Sequence, residues 1–391
     1  MTITTRLGAL AAALTTLLVA PAALADTIKV GLVGEFSGPF ADYGKEMMGG
    51  IKAYQKIHGD TVAGHKIEII TKDTTGPSPE IAKRAAQELI VQDKVQFLAG
   101  FGLTPNAMAV APIATQAKMP MVVMNAATAA ITTASPYIVR FSFTLPQMTV
   151  PLSTWASRNG IKSVYTVASD YGPGIDAEEA FVKAFKGSGG TIVGSVRVPL
   201  RSPEFAPFVQ RVKDAKPQAV FVFLPAGEQG IAFMKSFNER GLAQVGIKVI
   251  APGDLTDDNV LEAMGDPILG VITTHNYSVA HDSPENKAFL KAFADANGSG
   301  MRPNFMAVAA FDGMAAIYET VRKLNGKIEG DKAMEVLKNF KTTSPRGAVA
   351  IDPATREIIE TVYVRRVERR DGKLYNVEFD SFPDVKDPTK E

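Results

Sequence analysis

Short apolar runs alternate with stretches of helical periodicity along most of this chain. The first pair is a strand-like run at 27–33 (TIKVGLV) and a helical stretch at 45–57. The second is a strand at 66–71 (KIEIIT) and a helix from Ser78-Pro79 to about residue 92. Further strand-like runs, most of them followed by a helical stretch, occur at 95–99, 121–124, 163–168, 219–224, 248–251 and 270–274. Such alternation is typical of parallel sheets covered by helices on both faces, so the sequence predicts an α/β fold.

Length and composition agree with a folded protein of two domains. The chain has 391 residues, 46% of them hydrophobic, and 42 Lys and Arg against 41 Asp and Glu. At roughly 100–200 residues per domain, this length predicts two domains. The near-zero net charge provides no excess of positive charge of the kind that favours binding to nucleic acid or an anionic membrane. The absence of cysteine excludes disulfides, thiolate nucleophiles and cysteine metal sites.

Residues 1–25 have the pattern of a secretory signal peptide. Arg6 precedes an Ala- and Leu-rich stretch, and Ala23-Leu24-Ala25 supplies small residues for cleavage. An uncleaved membrane anchor is the alternative, but Pro21 interrupts the apolar stretch where an anchor would continue. Because no cysteine is present to carry a lipid, we expect a protein that is freely soluble outside the cytoplasm and is not a lipoprotein.

The loops that follow the strands are the predicted functional region, because parallel sheets bind ligands beyond the carboxyl ends of their strands. Four of these loops are 34–44 (GEFSGPFADYG), 100–106 (GFGLTPN), 125–128 (NAAT) and 169–174 (SDYGPG). They combine hydrogen-bonding residues with Tyr and Phe. This mixture indicates a site for a small polar ligand that has an apolar part.

Signatures of common catalytic and cofactor sites are absent from the sequence. There is no G-x-x-x-x-G-K-[ST] phosphate loop, no H-E-x-x-H zinc motif and no G-x-S-x-G serine elbow. The glycines after the first strand also lack the G-x-G-x-x-G spacing. We therefore predict neither metal nor cofactor, and a binding protein rather than an enzyme. A secreted hydrolase is an alternative that turnover of esters or amides would reveal.

Several motifs together resemble a known family of binding proteins. SGPFADYG (37–44) follows the first strand, KIEIITKD (66–73) comes after the first helix, and NAAT, SDYGPG and FDGMAAIYETVRKL (311–324) follow in order. This pattern resembles the leucine/isoleucine/valine-binding proteins of ABC transporters. The resemblance implies the type I periplasmic binding protein fold, with two α/β lobes, each a mainly parallel sheet flanked by helices, and three hinge crossings.

The resemblance also implies lobes that are discontinuous in sequence. Lobe one would comprise residues 26–143 and 276–357, and lobe two residues 144–275 and 358–391. The crossings would lie near 141–144, 274–277 and 358–361. Independently, residues 355–379 show strand-like alternation with a turn at Asp371-Gly372, which predicts a hairpin.

Two tyrosines match aromatic positions of the family's ligand pocket. Tyr43 would line the pocket wall, and Tyr171 would be brought over the ligand by the second lobe. The alternatives are a tyrosine that packs the first helix and a tyrosine on a surface loop, respectively. The position of both after strand ends favours the pocket.

The resemblance places the ligand carboxylate near Leu103 and Thr104 and near NAAT. Thr104-Pro105 would also start a helix, whose N-terminus attracts anions. The backbone of Ala126 and the hydroxyl of Thr128 would face the same charged group, although a threonine in a turn often bonds its own backbone.

Asp254 lies near the position of the acid that binds the ammonium group in amino-acid-binding members. If it points inward it would favour amino acids. If it instead caps a helix over 257–264, or if the match falls on Gly253, the site has no ammonium partner. In that case Phe101, Leu103 and Pro225 would line a flat apolar slot, suited to an aromatic carboxylate.

The sequence therefore predicts a monomeric periplasmic receptor of an ABC importer, which delivers a small carboxylate to a membrane permease. A hydrophobic or branched-chain amino acid and an aromatic carboxylate both stay open as ligands. An extracytoplasmic ligand sensor of the same fold is a further alternative.

Overall fold

The structure is a computed structural model that describes residues 26–201 and 203–390. The predicted signal peptide at 1–25 lies outside the described residues. None of the helices in the described ranges is long and apolar enough to cross a bilayer.

Six strands form the first sheet, in the order β2-β3-β1-β4-β5-β6. They are β1 (Ile28–Gly34), β2 (Thr61–Val62), β3 (His65–Asp73), β4 (Phe97–Gly100), β5 (Met121–Val123) and β6 (Ile138–Arg140). All neighbours pair in parallel except β2 and β3. The predicted strands at 27–33, 66–71, 95–99 and 121–124 are confirmed with small shifts at their ends.

The second sheet has a core of parallel strands, and antiparallel strands extend it on one side. Its members are β7 (Ser163–Ser169), β8 (Thr191–Val198), β9 (Ala219–Phe223), β10 (Lys248–Pro252), β11 (Ile272–His275), β12 (Lys341–Ser344), β13 (Gly347–Ile351), β14 (Ile358–Arg370) and β15 (Lys373–Val385). Strands β8-β7-β9-β10-β11 are parallel, whereas β14 pairs antiparallel with β11, β13 and β15. The predicted hairpin is confirmed, because Asp371 and Gly372 at positive φ connect β14 to β15.

Helices cover both sheets and begin after most of the parallel strands. They are α1 (Ala41–His58), α2 (Pro79–Val91), α3 (Thr104–Ala117), α4 (Leu145–Arg158), α5 (Gly172–Gly187), α6 (Ala206–Ala215), α7 (Glu228–Glu239), α8 (Leu261–Met264), α9 (Pro284–Asn297), α10 (Phe305–Leu324) and α11 (Gly330–Leu337). Helix α1 packs against α9 and α10, although more than 200 residues separate them in sequence. Gly50 allows this close approach, because a Cβ there would collide with the backbone of Ala307. The two-lobed α/β fold is therefore confirmed.

Two segments in which the chain passes between the sheets, 141–144 and 274–277, meet strand β14 around one buried arginine. Arg346, in the turn between β12 and β13, donates to the carbonyls of Phe141 (2.6 Å) and Ser142 (3.2 Å) in the first passage. It also donates to Glu360 Oε2 (2.8 Å) in β14. Asn276, in the second passage, donates to Ser142 O (3.2 Å) and to Glu360 Oε2 (2.9 Å). The three segments therefore share one hydrogen-bond network.

Candidate functional site

A narrow cavity with about 10 Å³ of free volume lies between the two sheets. Its walls come from loops and strand ends of both: Tyr43, Gly102, Thr104, Asn125, Ala126, Ala127, Phe143, Leu145, Tyr171, Pro173, Phe223 and Asp254. The Tyr43 hydroxyl donates to the carbonyl of Ala226 at 3.3 Å, which joins α1 on the first sheet to the loop after β9 on the second. The cavity therefore has the position that a parallel sheet gives its ligand site.

Four aromatic rings dominate the cavity wall. The rings of Tyr171 and Phe223 are nearly parallel, with centroids 6.2 Å apart, and Phe143 stands edge-on to His275 at 4.7 Å. Burial, together with the nearby Asp254, raises the pKa of the Tyr43 and Tyr171 phenols well above its usual range. Both phenols are therefore neutral hydrogen-bonding groups in this cavity.

The first polar side of the cavity is built by the loops after β4 and β5. Thr104 is the first residue of α3, and its hydroxyl lies 3.1 Å from that of Thr128. Asn125 lines the cavity and donates to Gly102 O at 2.7 Å, which leaves its own side-chain oxygen without a partner among the described residues. An anion placed here would meet the Thr104 hydroxyl and the N-terminus of a 14-residue helix.

Arg140 holds this side of the cavity in place from behind. Its guanidinium donates to Ala126 O at 2.9 Å and to Thr128 O at 2.7 Å, and its Nε lies 2.7 Å from Glu357 Oε2. The Ala126 N–H donates to Phe101 O at 2.9 Å. Although Ala126 lines the cavity, both of its backbone polar groups are thus already paired within the protein.

The structure brings five of the nine predicted site residues to the cavity and places four elsewhere. Those that line it are Tyr43, Thr104, Ala126, Tyr171 and Asp254. Thr128 reaches it only through Thr104. Phe101 and Leu103 are buried in hydrophobic clusters, and Pro225 is buried beside Ala226 without lining the cavity. The flat slot expected from Phe101, Leu103 and Pro225 is instead formed by Phe143 and Phe223, which the sequence analysis missed.

Asp254 points toward the cavity rather than capping a helix. It lies in the 3-10 turn Gly253–Thr256 and is 8% exposed. The expected helix over 257–264 is reduced to α8, which begins at Leu261, so the capping alternative is wrong. Position 253 is occupied by glycine because a Cβ there would lie 2.6 Å from the His275 ring.

Glu35 is a second buried acid, directly behind the cavity loops. It accepts hydrogen bonds from Asn106 Nδ2 (2.8 Å) and from the Thr74 hydroxyl (3.2 Å). Burial nevertheless raises the pKa of its carboxyl from an ordinary 4.5 to about 7. The protonated acid therefore fits this site better than the carboxylate.

We expect Glu35→Gln to remove part of the pH dependence of folding. The native protein binds the Glu35 proton more tightly than the unfolded chain does. The contribution of this proton to the free energy of unfolding is therefore fully present below pH 4.5 and is lost as the pH rises to about 7. The total is on the order of 3 kcal/mol. Urea unfolding of the wild type, Glu35→Gln and the exposed control Glu80→Gln between about pH 4.5 and 8 measures it. Parallel curves for the wild type and Glu35→Gln would contradict this assignment.

No group of three or more metal-binding side chains occurs within residues 26–201 and 203–390. The cavity wall in those ranges also contains no Lys or Arg. The arrangement is suited to holding a small, partly aromatic molecule by ring contacts and neutral hydrogen bonds.

A family model and a known relative match almost the whole chain. The periplasmic binding protein family matches residues 27–373. The Leu/Ile/Val-binding protein homolog 6 of Brucella melitensis is 47% identical over 372 residues, or 95% of each chain.

Two solved structures are similar over almost the whole chain. A solute-binding protein of an ABC transporter from Rhodopseudomonas palustris BisB5, in complex with 3,4-dihydroxy benzoic acid, is 54% identical with a TM-score of 0.90. The match covers 93% of this chain and 99% of the R. palustris chain. A solute-binding protein from R. palustris in complex with 4-hydroxybenzoate is 47% identical, with a TM-score of 0.91 and the same coverage. The match over most of its length shows that this chain belongs to the periplasmic binding protein family.

Proposed function

We propose that this protein captures an aromatic carboxylate in the cavity between its lobes and delivers it to the permease of an ABC importer. The observation that carries the proposal is the aromatic wall, which Tyr43, Phe143, Tyr171 and Phe223 provide around the narrow cavity between the sheets. A flat ring fits such walls in stacked and edge-on contacts. The ligands of the two R. palustris relatives, both hydroxylated benzoic acids, support the same class.

The carboxylate would bind at the N-terminus of α3. Thr104 supplies a hydroxyl at the positive end of the helix dipole, whereas Pro105 has no N–H and the Asn106 N–H already donates to Leu103 O. Neutral donors of this kind bind an anion in a buried cavity without a positively charged side chain.

A hydrophobic amino acid is the second candidate ligand. Asp254 favours it, because a carboxylate at the cavity wall is a good partner for an ammonium group. The name of the Brucella relative points in the same direction.

The lobes we propose are residues 26–143 with 276–357, and residues 144–275 with 358–391. We also propose a monomer that carries out no chemistry and reaches the periplasm by cleavage after Ala25. Ligand binding would hold the lobes closed through contacts of the kind made by Tyr43 and Ala226.

Thermal-shift and calorimetric titrations decide between the ligand classes. Ligand at 100 times its dissociation constant is expected to stabilise the protein by about 2.7 kcal/mol. We expect this with benzoate and hydroxybenzoates, and not with leucine or phenylalanine. Tyr171→Leu should weaken benzoate binding about tenfold through loss of the stacked ring, while Tyr375→Leu, outside the cavity, should not. Stabilisation by leucine alone would reject the aromatic proposal.

A further inference from the structure

Two buried hydrogen-bond acceptors face each other where Asp254, in the cavity wall, meets His275, which lies behind the wall against Phe143. Asp254 Oδ2 and His275 Nε2 are 3.8 Å apart, and neither has a hydrogen-bond partner among the described residues. The His275 side chain is fully buried, and that of Asp254 is 11% exposed. Their separation is too long for a direct hydrogen bond, and unpaired buried acceptors are rare in native proteins.

Neighbouring groups determine which His275 nitrogen carries the hydrogen. Its Nδ1 lies 2.8 Å from the side-chain oxygen of Asn276. The orientation of that amide is set by its nitrogen, which donates to Ser142 O and Glu360 Oε2. The hydrogen of the neutral ring therefore sits on Nδ1, and Nε2 presents a lone pair toward Asp254.

The surroundings also keep the imidazole neutral. Burial, reinforced by the positive charge of Arg365, lowers the pKa of His275, although the Asp254 carboxylate acts in the opposite direction. Arg365 itself donates to the Thr273 and Thr256 hydroxyls and to Tyr277 O. The Arg365 guanidinium is thus held by other partners, and neither acceptor is paired with it.

We propose that Asp254 and His275 together bind two adjacent phenolic hydroxyls, so that the site selects a benzoate bearing a vicinal diol. This inference rests on the proposed function, since it presumes an aromatic carboxylate in the cavity. A single phenol has one hydrogen and satisfies one acceptor, which leaves the other buried without a partner. Two hydroxyls on neighbouring ring carbons supply one donor to each acceptor.

Calorimetry with benzoate, 4-hydroxybenzoate and 3,4-dihydroxybenzoate tests the inference on the full mature chain. We expect the wild type to bind the diol about tenfold more tightly than the monohydroxylated acid, because an unpaired buried acceptor is costly. His275→Phe keeps a ring against Phe143 and Phe305 but removes the acceptor. It should abolish the preference for the diol over 4-hydroxybenzoate. The exposed control His58→Phe should keep the preference.

Each outcome has a distinct meaning. Equal binding of the three acids by the wild type, or a preference that persists in His275→Phe, would overturn the diol site and leave the proposed function standing. Binding of none of them would instead reject the proposed function. If His275→Phe does not fold, two other experiments replace it. One is calorimetry on Asp254→Asn, and the other is the ¹⁵N chemical shift of His275 Nε2 in the wild type with each acid. A large shift with the diol and little with benzoate supports the proposal, and equal shifts oppose it.

Discussion

Arg346→Met is expected to lower the free energy of unfolding by about 3–5 kcal/mol, the typical cost of removing one partner from a buried ion pair. Arg346 is 1% exposed and makes hydrogen bonds with all of its side-chain N–H groups. Its loss would leave Asp312 and Glu360 as buried acids without the charged partner and would remove the hydrogen bond to Phe141 O. Methionine keeps much of the volume, so a cavity contributes little to the loss.

Urea unfolding followed by circular dichroism measures this effect. Arg369→Met is the matched control, because Arg369 forms an exposed ion pair with Asp266 and should cost less than about 1 kcal/mol. A loss as small as that of the control would mean that the two chain passages and β14 are held together without Arg346. Because the two passages connect the sheets, we also expect Arg346→Met to change the ligand-induced stabilisation.

Arg140→Met is the second substitution with a large expected effect. The guanidinium of Arg140 is buried, like that of Arg346. It binds the carbonyls of Ala126 and Thr128 and the Glu357 carboxylate. We expect a loss of about 3–5 kcal/mol in stability, since Glu357 would be buried with only Lys390 as a charged partner. We also expect weaker ligand binding, since the released loop includes residues of the cavity wall.

The two effects are separated by titrating the variant at a temperature where it is fully folded. Arg356→Met provides the control, because Arg356 donates to backbone carbonyls of the same region, including Ile138 O and Thr132 O, without contacting residues 125–128. If Arg140→Met binds benzoate as tightly as Arg356→Met does, Arg140 has a purely structural role.

The local elements were predictable because their signals are short in sequence. Alternation and helical periodicity located β1, β3, β9 and the α1 and α2 helices, and Asp371-Gly372 located the β14–β15 turn. The same signals missed β6, which is three residues long, and β8, which lies at an edge of its sheet. The predicted helix at 257–264 is mostly irregular, because Asp257 and Asp258 are instead drawn into contacts with Asn304 and Asn376.

The site was predictable only as far as strand order determines it. Tyr43, Thr104, Ala126, Tyr171 and Asp254 reach the cavity because each lies after a parallel strand, and the carboxyl ends of such strands share one edge. The direction of each side chain within its loop is not a local property. Phe101 turns into the core at positive φ, while Phe143 and Phe223 turn toward the cavity.

The sequence by itself determined the alternating elements, the loops that carry the site and the resemblance to the binding-protein family. Only the tertiary structure decided that Arg346 and Asn276 connect the two passages to β14, that Arg140 supports the loop at 125–128, and that His275 faces Asp254. The physical reason is that periodicity records which residues are buried locally. These polar contacts instead connect distant segments, so their partners become neighbours only when both lobes have folded.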